Sequence, residues 1–154
     1  MHEAGLAHGD IRPGNVLLTE DQDGSVAGHL SDLRLTRFLT PGTMVTGMGR
    51  AGGVEFTDPD LLAGTRPSRR TEVWALGATI HRALTGVGLY GELPEGQPLL
   101  AIRRLLSHRP QVHPGLPPAD AALVHDCIAD ADARLATAAD VADRLAQLGR
   151  AAAA

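Results

Sequence analysis

The sequence predicts a mainly α-helical fold with one short β-hairpin near its N-terminal end. The segment Arg70–Gly86 is apolar on almost every side, which is typical of a helix buried in a core. Shorter helical patterns follow it at 99–107, 119–128 and 137–148. Two apolar runs, Val16–Leu18 and Val26–Leu30, flank the Asp- and Gly-rich turn Thr19–Gly24 and indicate the hairpin.

Composition narrows the class of protein. A chain of 154 residues, with 44% apolar and 21% charged residues, is typical of one globular domain, and 3% aromatic residues imply an aliphatic core. The net charge of -4 gives no electrostatic case for nucleic acid or an anionic membrane, and no apolar run could span a bilayer. The single cysteine, Cys127, favours a reducing compartment, so we expect a cytoplasmic protein. All 14 basic residues are Arg, so chemistry that needs a lysine cannot come from this polypeptide alone.

The first six residues look like the end of a helix. Gly5 lies where a helix C-terminal glycine is expected. Since a chain seldom starts with the last turn of a helix, we expect that a segment is missing upstream.

The polar loop before the first predicted strand carries the clearest chemical signal. Asp10 lies in this loop, and Asn15 follows immediately before Val16. Phosphoryl transfer uses such a pair, because a carboxylate orients or accepts the proton of the attacking hydroxyl and an amide oxygen helps to hold a metal ion on the phosphates. The alternative is a plain polar turn between a helix and a strand.

Further landmarks follow the hairpin. Asp32 comes directly after the second predicted strand, where it could be a second metal ligand or a simple turn former. Residues 38–53 are rich in Gly, Thr and Met without periodicity, which predicts an exposed loop with several hydroxyl groups. Asp58 and Pro59 suit the N-cap and the first position of a helix. Trp74, in the apolar helix, is expected to be a core anchor rather than a cofactor platform.

Taken in order, these segments resemble the C-terminal lobe of eukaryotic-type serine/threonine protein kinases. Residues 8–15, His-Gly-Asp-Ile-Arg-Pro-Gly-Asn, are similar to the catalytic loop H-R-D-x-x-x-x-N, and Asp32-Leu33-Arg34 is similar to D-F-G. Residues 53–62 resemble the run G-T-P-E-Y-x-A-P-E, and residues 72–77 resemble the D-V-W-S-L-G of the central helix. The resemblance covers residues 1–150 as one partial domain without an N-terminal lobe, and it leaves 151–154 as a disordered Ala tail. The lysine-free, Ala/Arg/Gly-rich composition resembles that of a high-GC bacterial member.

The resemblance implies a role for each matching residue. Asp10 would be the catalytic base, with Arg12 close to the transferred phosphate where the family usually has Lys. Asn15 and Asp32 would hold the magnesium of ATP–Mg, and Leu17 would contact the adenine. Structural roles are implied for a second set: His8 and Leu33 in a hydrophobic stack, Glu72 at the position of the central-helix Asp, and Arg134 paired with Asp60, the acid of A-P-E.

The sequence also departs from the family pattern. The Gly-rich phosphate loop and the strand lysine with its glutamate partner are absent from this sequence. Gly9 replaces the Arg that reads a phosphorylated loop, Arg34 replaces the D-F-G glycine, and Gly53 replaces a Thr that usually contacts the catalytic Asp.

Three functions remain open. The chain could be part of a kinase that transfers phosphate from ATP–Mg to Ser/Thr of an unknown protein, with the N-terminal lobe supplied upstream or by a partner. It could be a catalytically silent, pseudokinase-like module that binds a protein partner on the apolar face left by the missing lobe. His8-Gly9-Asp10 and Pro13-Gly14-Asn15 also resemble the H-G-D-x-x-P-x-N loop of aminoglycoside and choline kinases, which would make it a small-molecule phosphotransferase.

Overall fold

The computed structural model describes residues 1–33, 37–38 and 53–152, and within them it confirms a mainly helical fold with a small antiparallel hairpin. The helices are α1 (Pro59–Leu62), α2 (Arg69–Thr85), α3 (Pro98–Ser107), α4 (Pro118–Ile128) and α5 (Ala138–Ala152). The strands are β1 (Leu6–Ala7), β2 (Val16–Glu20), β3 (Val26–Leu30) and β4 (Arg37–Phe38). Short 3₁₀ turns are formed by His2–Ala4, Pro13–Asn15 and Val54–Phe56.

The predicted hairpin is formed by β2 and β3. Val16 pairs with Leu30 at one end and Glu20 with Val26 at the other, so β2 runs two residues beyond the predicted apolar run. The turn closes with a bond from the Asp21 amide to the Ser25 carbonyl at 2.9 Å. Nearly all of the hairpin residues are exposed, although an isolated two-stranded ribbon is marginally stable in water. The hairpin is therefore a candidate surface for further packing.

A second, very short sheet was not predicted. Leu6 pairs with Phe38 and Ala7 with Arg37 in antiparallel register, which joins β1 to β4. The N-terminal helical turn is confirmed as the 3₁₀ turn His2–Ala4, and Gly5 ends it at φ 69°.

The long apolar helix α2 is the centre of the core. Ser68 caps its N-terminus, two residues before the predicted start, and Gly86 ends it in the left-handed conformation that favours glycine. Trp74 is buried in a cluster that also contains residues from the 3₁₀ turn 54–56, α3 and α4, so it is the expected core anchor. Val73 packs in a second cluster with residues of α4 and α5.

Helices α2 and α4 pack very closely. A Cβ added at Gly77 would lie 2.5 Å from the Cβ of Cys127, so only glycine allows this approach. Helix α5 begins after Thr137, whose hydroxyl accepts from the Asp140 amide at 3.2 Å. It continues to Ala152, two residues into the segment that was expected to be a disordered tail. None of the helices in the described residues is long and apolar enough to cross a membrane.

Candidate functional site

The polar loop between β1 and the 3₁₀ turn Pro13–Asn15 is anchored by His8. The ring of His8 is buried, and its Nε2–H donates to the Ser31 carbonyl at 2.9 Å. Nδ1 is therefore the acceptor nitrogen, and it accepts from the Asp10 amide at 3.3 Å. One imidazole thus joins the loop that carries Asp10 to the segment that carries Asp32.

The candidate base and its neighbours form a compact cluster. Asn15 Nδ2 donates to Asp10 Oδ2 at 2.8 Å and also to the Asp10 carbonyl at 2.8 Å. Arg12 Nε lies 3.2 Å from the same Oδ2, so the carboxylate is held between an amide and a guanidinium. The Asp10 side chain is partly buried, with 13% of its surface exposed. The structure therefore brings the three predicted residues together, with the carboxylate in a fixed orientation.

Asn15 also ties the loop to the end of the hairpin. Its carbonyl accepts from the Ser31 amide at 2.8 Å and from the Ser31 hydroxyl at 3.1 Å. Asp32, the next residue, has φ 62°, a left-handed conformation that is uncommon for a residue other than glycine. Such strained conformations persist only where the surrounding structure compensates for their cost. They are found most often at functional sites.

The oxygen ligands of Asp32 and Asn15 fit magnesium better than they fit a metal ion that is coordinated by protein side chains alone. The described residues contain no group of three or more His, Cys, Asp or Glu side chains that could hold a metal ion. Asp32 and the carbonyl end of the Asn15 amide offer hard oxygen ligands, which magnesium prefers, and magnesium in phosphoryl-transfer sites takes its remaining ligands from phosphate and water.

Glu72 of α2 anchors the loop that carries Asp10 to this helix. Its Oε1 accepts from the Gly9 amide at 2.6 Å, across 63 positions of sequence. Its Oε2 accepts from His2 Nε2 at 2.7 Å, so the buried carboxylate also joins the N-terminal turn to α2. Gly9 has φ 83°, a left-handed conformation that favours glycine. Nothing in the sequence around His2 predicts its contact with Glu72.

The stack expected of His8 and Leu33 stays a prediction. His8 is buried, whereas Leu33 is 58% exposed. Leu17, the predicted adenine contact, lies on β2 and is also exposed, which leaves it accessible to a ligand.

The partner predicted for Arg134 is also wrong. Arg134 Nη1 pairs with Asp58 and not with Asp60, and the two side chains are 3% and 1% exposed. Asp58 is the N-cap of α1, so its side chain points back from the helix start, and its Oδ1 accepts from the Asp60 amide at 3.0 Å. Burial raises the pKa of Asp58, and the bond to Arg134 opposes that rise.

Other predicted features lie outside the described residues. These are Arg34, at the D-F-G glycine position, and residues 39–52 of the predicted hydroxyl-rich loop. Gly53, at the end of that loop, is buried, and its carbonyl accepts from the Thr57 hydroxyl at 3.1 Å.

The chain is similar in sequence to known protein kinases. A family model described as protein kinase domain matches residues 1–138. Serine/threonine-protein kinase PknK of Mycobacterium tuberculosis is 35% identical over 153 residues, which cover 97% of this chain and 13% of the relative. Serine/threonine-protein kinase PkaB of Streptomyces coelicolor is 26% identical, covering 96% of this chain and 36% of the relative. Serine/threonine-protein kinase/endoribonuclease IRE1a of Arabidopsis thaliana is 27% identical, covering 94% of this chain and 19% of the relative. The chain thus spans between 13% and 36% of the length of these relatives.

Proposed function

Because the chain belongs to the protein kinase family, we propose that it forms the C-terminal lobe of a serine/threonine protein kinase and takes part in phosphoryl transfer from ATP–Mg to protein hydroxyls. The observation that carries this proposal is the cluster of Asp10, Arg12 and Asn15, in which Asn15 Nδ2 lies 2.8 Å from the Asp10 carboxylate. The contact between Gly9 and Glu72 supports it further, since it fixes this loop on the most buried helix of the fold.

Each residue of the site has a distinct task in this proposal. Asp10 accepts the proton of the attacking Ser or Thr hydroxyl, and its orientation is set in advance by Asn15 and Arg12. Asn15 and Asp32 would hold magnesium, which would neutralise charge on the phosphates when bound. Arg12 adds a fixed positive charge beside the base, where its planar guanidinium can bind phosphate oxygens in pairs. Catalysis of this kind depends on positioning and electrostatics more than on covalent chemistry.

The rest of an ATP site would come from outside this sequence. The chain contains no lysine, so a lysine on the α- and β-phosphates would be supplied by another segment of the protein or by a partner. The exposed hairpin supports this idea, because Leu17, Leu18 and Val26 are all more than half exposed on its surface. Large exposed apolar surfaces of this kind commonly mark interaction sites.

The same exposed hairpin favours a second candidate, a silent kinase-like module that binds a protein partner there. The small-molecule phosphotransferase receives less support. The match to the protein kinase model spans residues 1–138, well beyond the catalytic loop that the two families share.

Reconstitution with a set of acceptors separates the three functions. The chain would be mixed with a separately produced N-terminal lobe of the mycobacterial relative PknK, and transfer of the labelled γ-phosphate of ATP would be followed. We expect phosphoserine or phosphothreonine on a protein acceptor, and we expect Asp10→Asn to abolish it. Asp143→Ala, an exposed change on α5, is the matched control and should keep the activity.

Two results would contradict the proposal. Phosphate transfer to an aminoglycoside or to choline, but not to protein, would favour the small-molecule enzyme. Stable association of the two lobes without any transfer would favour the silent module.

A further inference from the structure

Helix α3 has two apolar sides, and core packing explains only one of them. Ala101 and Leu105 face the interior and are almost fully buried. On the outer side, Leu99 is 72% exposed and Leu106 is 53% exposed, although they lie at the i and i+7 positions of one helix face. Leu100, beside Leu99, is about half exposed as well. A helix already anchored by its inner face has no structural need for leucines on the outer one.

The outer face of α3 is also basic. Arg103 follows Leu99 by one helical turn, and Arg104 follows Leu100 in the same way. Both arginines are exposed, and within the described residues neither side chain forms an ion pair. Arg109 lies just beyond the helix, and no Asp or Glu occurs from Gln97 through Ala119. This segment is therefore positive in a chain whose net charge is -4.

We propose that the outer face of α3, formed by Leu99, Leu100, Arg103, Arg104 and Leu106, binds an acidic segment of a partner protein that carries large apolar side chains. Carboxylates of that segment pair with the two guanidinium groups, which bind carboxylates with two parallel hydrogen bonds. Its apolar side chains cover the leucines, in the way that a helix docks in a hydrophobic groove. This proposal does not depend on the phosphoryl-transfer reaction.

Charge favours a peptide over a membrane as the occupant. A short acidic segment bound at this face interacts mainly with the nearby arginines. At physiological salt, the negative charges of the protein that lie more than about 8–10 Å away are screened from it. An anionic bilayer faces a much larger area of the protein, which is negative overall. The buried inner face of α3 also limits how deeply the helix could enter a bilayer.

Selection from a library of random short peptides displayed on phage tests the proposal. The purified chain is the bait, no nucleotide is added, and the affinity of selected peptides is then measured by fluorescence anisotropy. We expect enrichment of peptides rich in Asp and Glu with Leu, Phe or Met between them. Affinity should fall by about tenfold or more in Arg103→Glu/Arg104→Glu and in Leu99→Ser/Leu106→Ser, and it should weaken as salt rises.

Matched controls lie on helix α5, where Arg150→Glu and Leu145→Ser change exposed residues of the same types. These variants should bind the selected peptides as the unaltered chain does. The proposal is overturned if no peptide is enriched, if the enriched peptides are not acidic, or if the α3 variants bind as tightly as the controls. Binding to phosphatidylserine vesicles that is lost in the α3 variants, without peptide enrichment, would assign the face to a membrane instead.

Discussion

Replacing Arg134 with Ala tests the buried ion pair that joins the start of α1 to the segment before α5. In the structure, Arg134 Nη1 contacts both the Asp58 carboxylate and the Arg70 carbonyl, the latter at 2.9 Å. Its Nε donates to the Ala129 carbonyl at 3.0 Å. The Arg134→Ala change removes all of these donors at once and leaves the Asp58 carboxylate buried without its cation.

The expected loss of stability is large. Removing one partner of a buried ion pair costs about 3–5 kcal/mol, because the remaining charge stays desolvated. The free energy of unfolding of a typical domain is only about 5–15 kcal/mol, so this loss is a substantial part of the total stability. For a chain of this size the melting temperature should fall by roughly 6–20 °C. Burial already raises the pKa of Asp58, so the variant should regain part of the loss at acidic pH, where this carboxyl is protonated.

Urea unfolding at neutral pH measures the loss, and two variants serve as comparisons. Arg144→Ala removes an exposed pair with Asp126, 3.2 Å apart, and should cost less than about 1 kcal/mol. Asp60→Ala should also cost little, since Asp60 is not the partner of Arg134. The reasoning is refuted if Arg134→Ala unfolds within about 1 kcal/mol of the unaltered chain, or if Asp60→Ala is as costly as Arg134→Ala.

Three further predictions concern the core and the loop. Glu72→Ala removes the acceptor of the Gly9 amide, so hydrogen exchange at Gly9 should become faster, and unchanged exchange there would contradict the positioning role. Gly77→Ala places a Cβ in a packed contact and should cost about 1–3 kcal/mol in urea unfolding, whereas Gly149→Ala, in open space on α5, should not destabilise the chain. Burial lowers the pKa of His81, whose Nε2 accepts a backbone hydrogen bond. Stability should therefore fall as pH drops below about 6.5, and an equally steep fall in His81→Gln would assign it to other groups.

Local signals explain the parts of the fold that the sequence predicts well. The hairpin follows from two apolar runs around an Asp/Gly turn, and the end of α2 follows from Gly86, which takes the left-handed conformation. The order of Asp10 and Asn15 in one short loop likewise indicates their proximity, because few residues separate them. In each case the residues that determine the structure are neighbours in sequence.

Contacts between distant segments were harder to predict. The acid that meets Arg134 is Asp58, and the choice between Asp58 and Asp60 depends on the direction in which α1 leaves its N-cap. The bond from Gly9 to Glu72 depends on how the loop crosses α2, and no sequence period encodes that crossing.

The most direct test of the central claim is the melting temperature of the purified chain during titration with ATP, with and without magnesium. If the Kd of the chain for ATP–Mg is near millimolar, ATP–Mg at ten times its Kd raises the free energy of unfolding by about 1.4 kcal/mol. This corresponds to a rise in melting temperature of roughly 3–6 °C. We predict a rise that requires magnesium, that disappears in Asp32→Ala and that persists in Asp143→Ala. No shift in the folded chain, or the same shift in Asp32→Ala, would contradict the claim that Asn15 and Asp32 form a metal–nucleotide site.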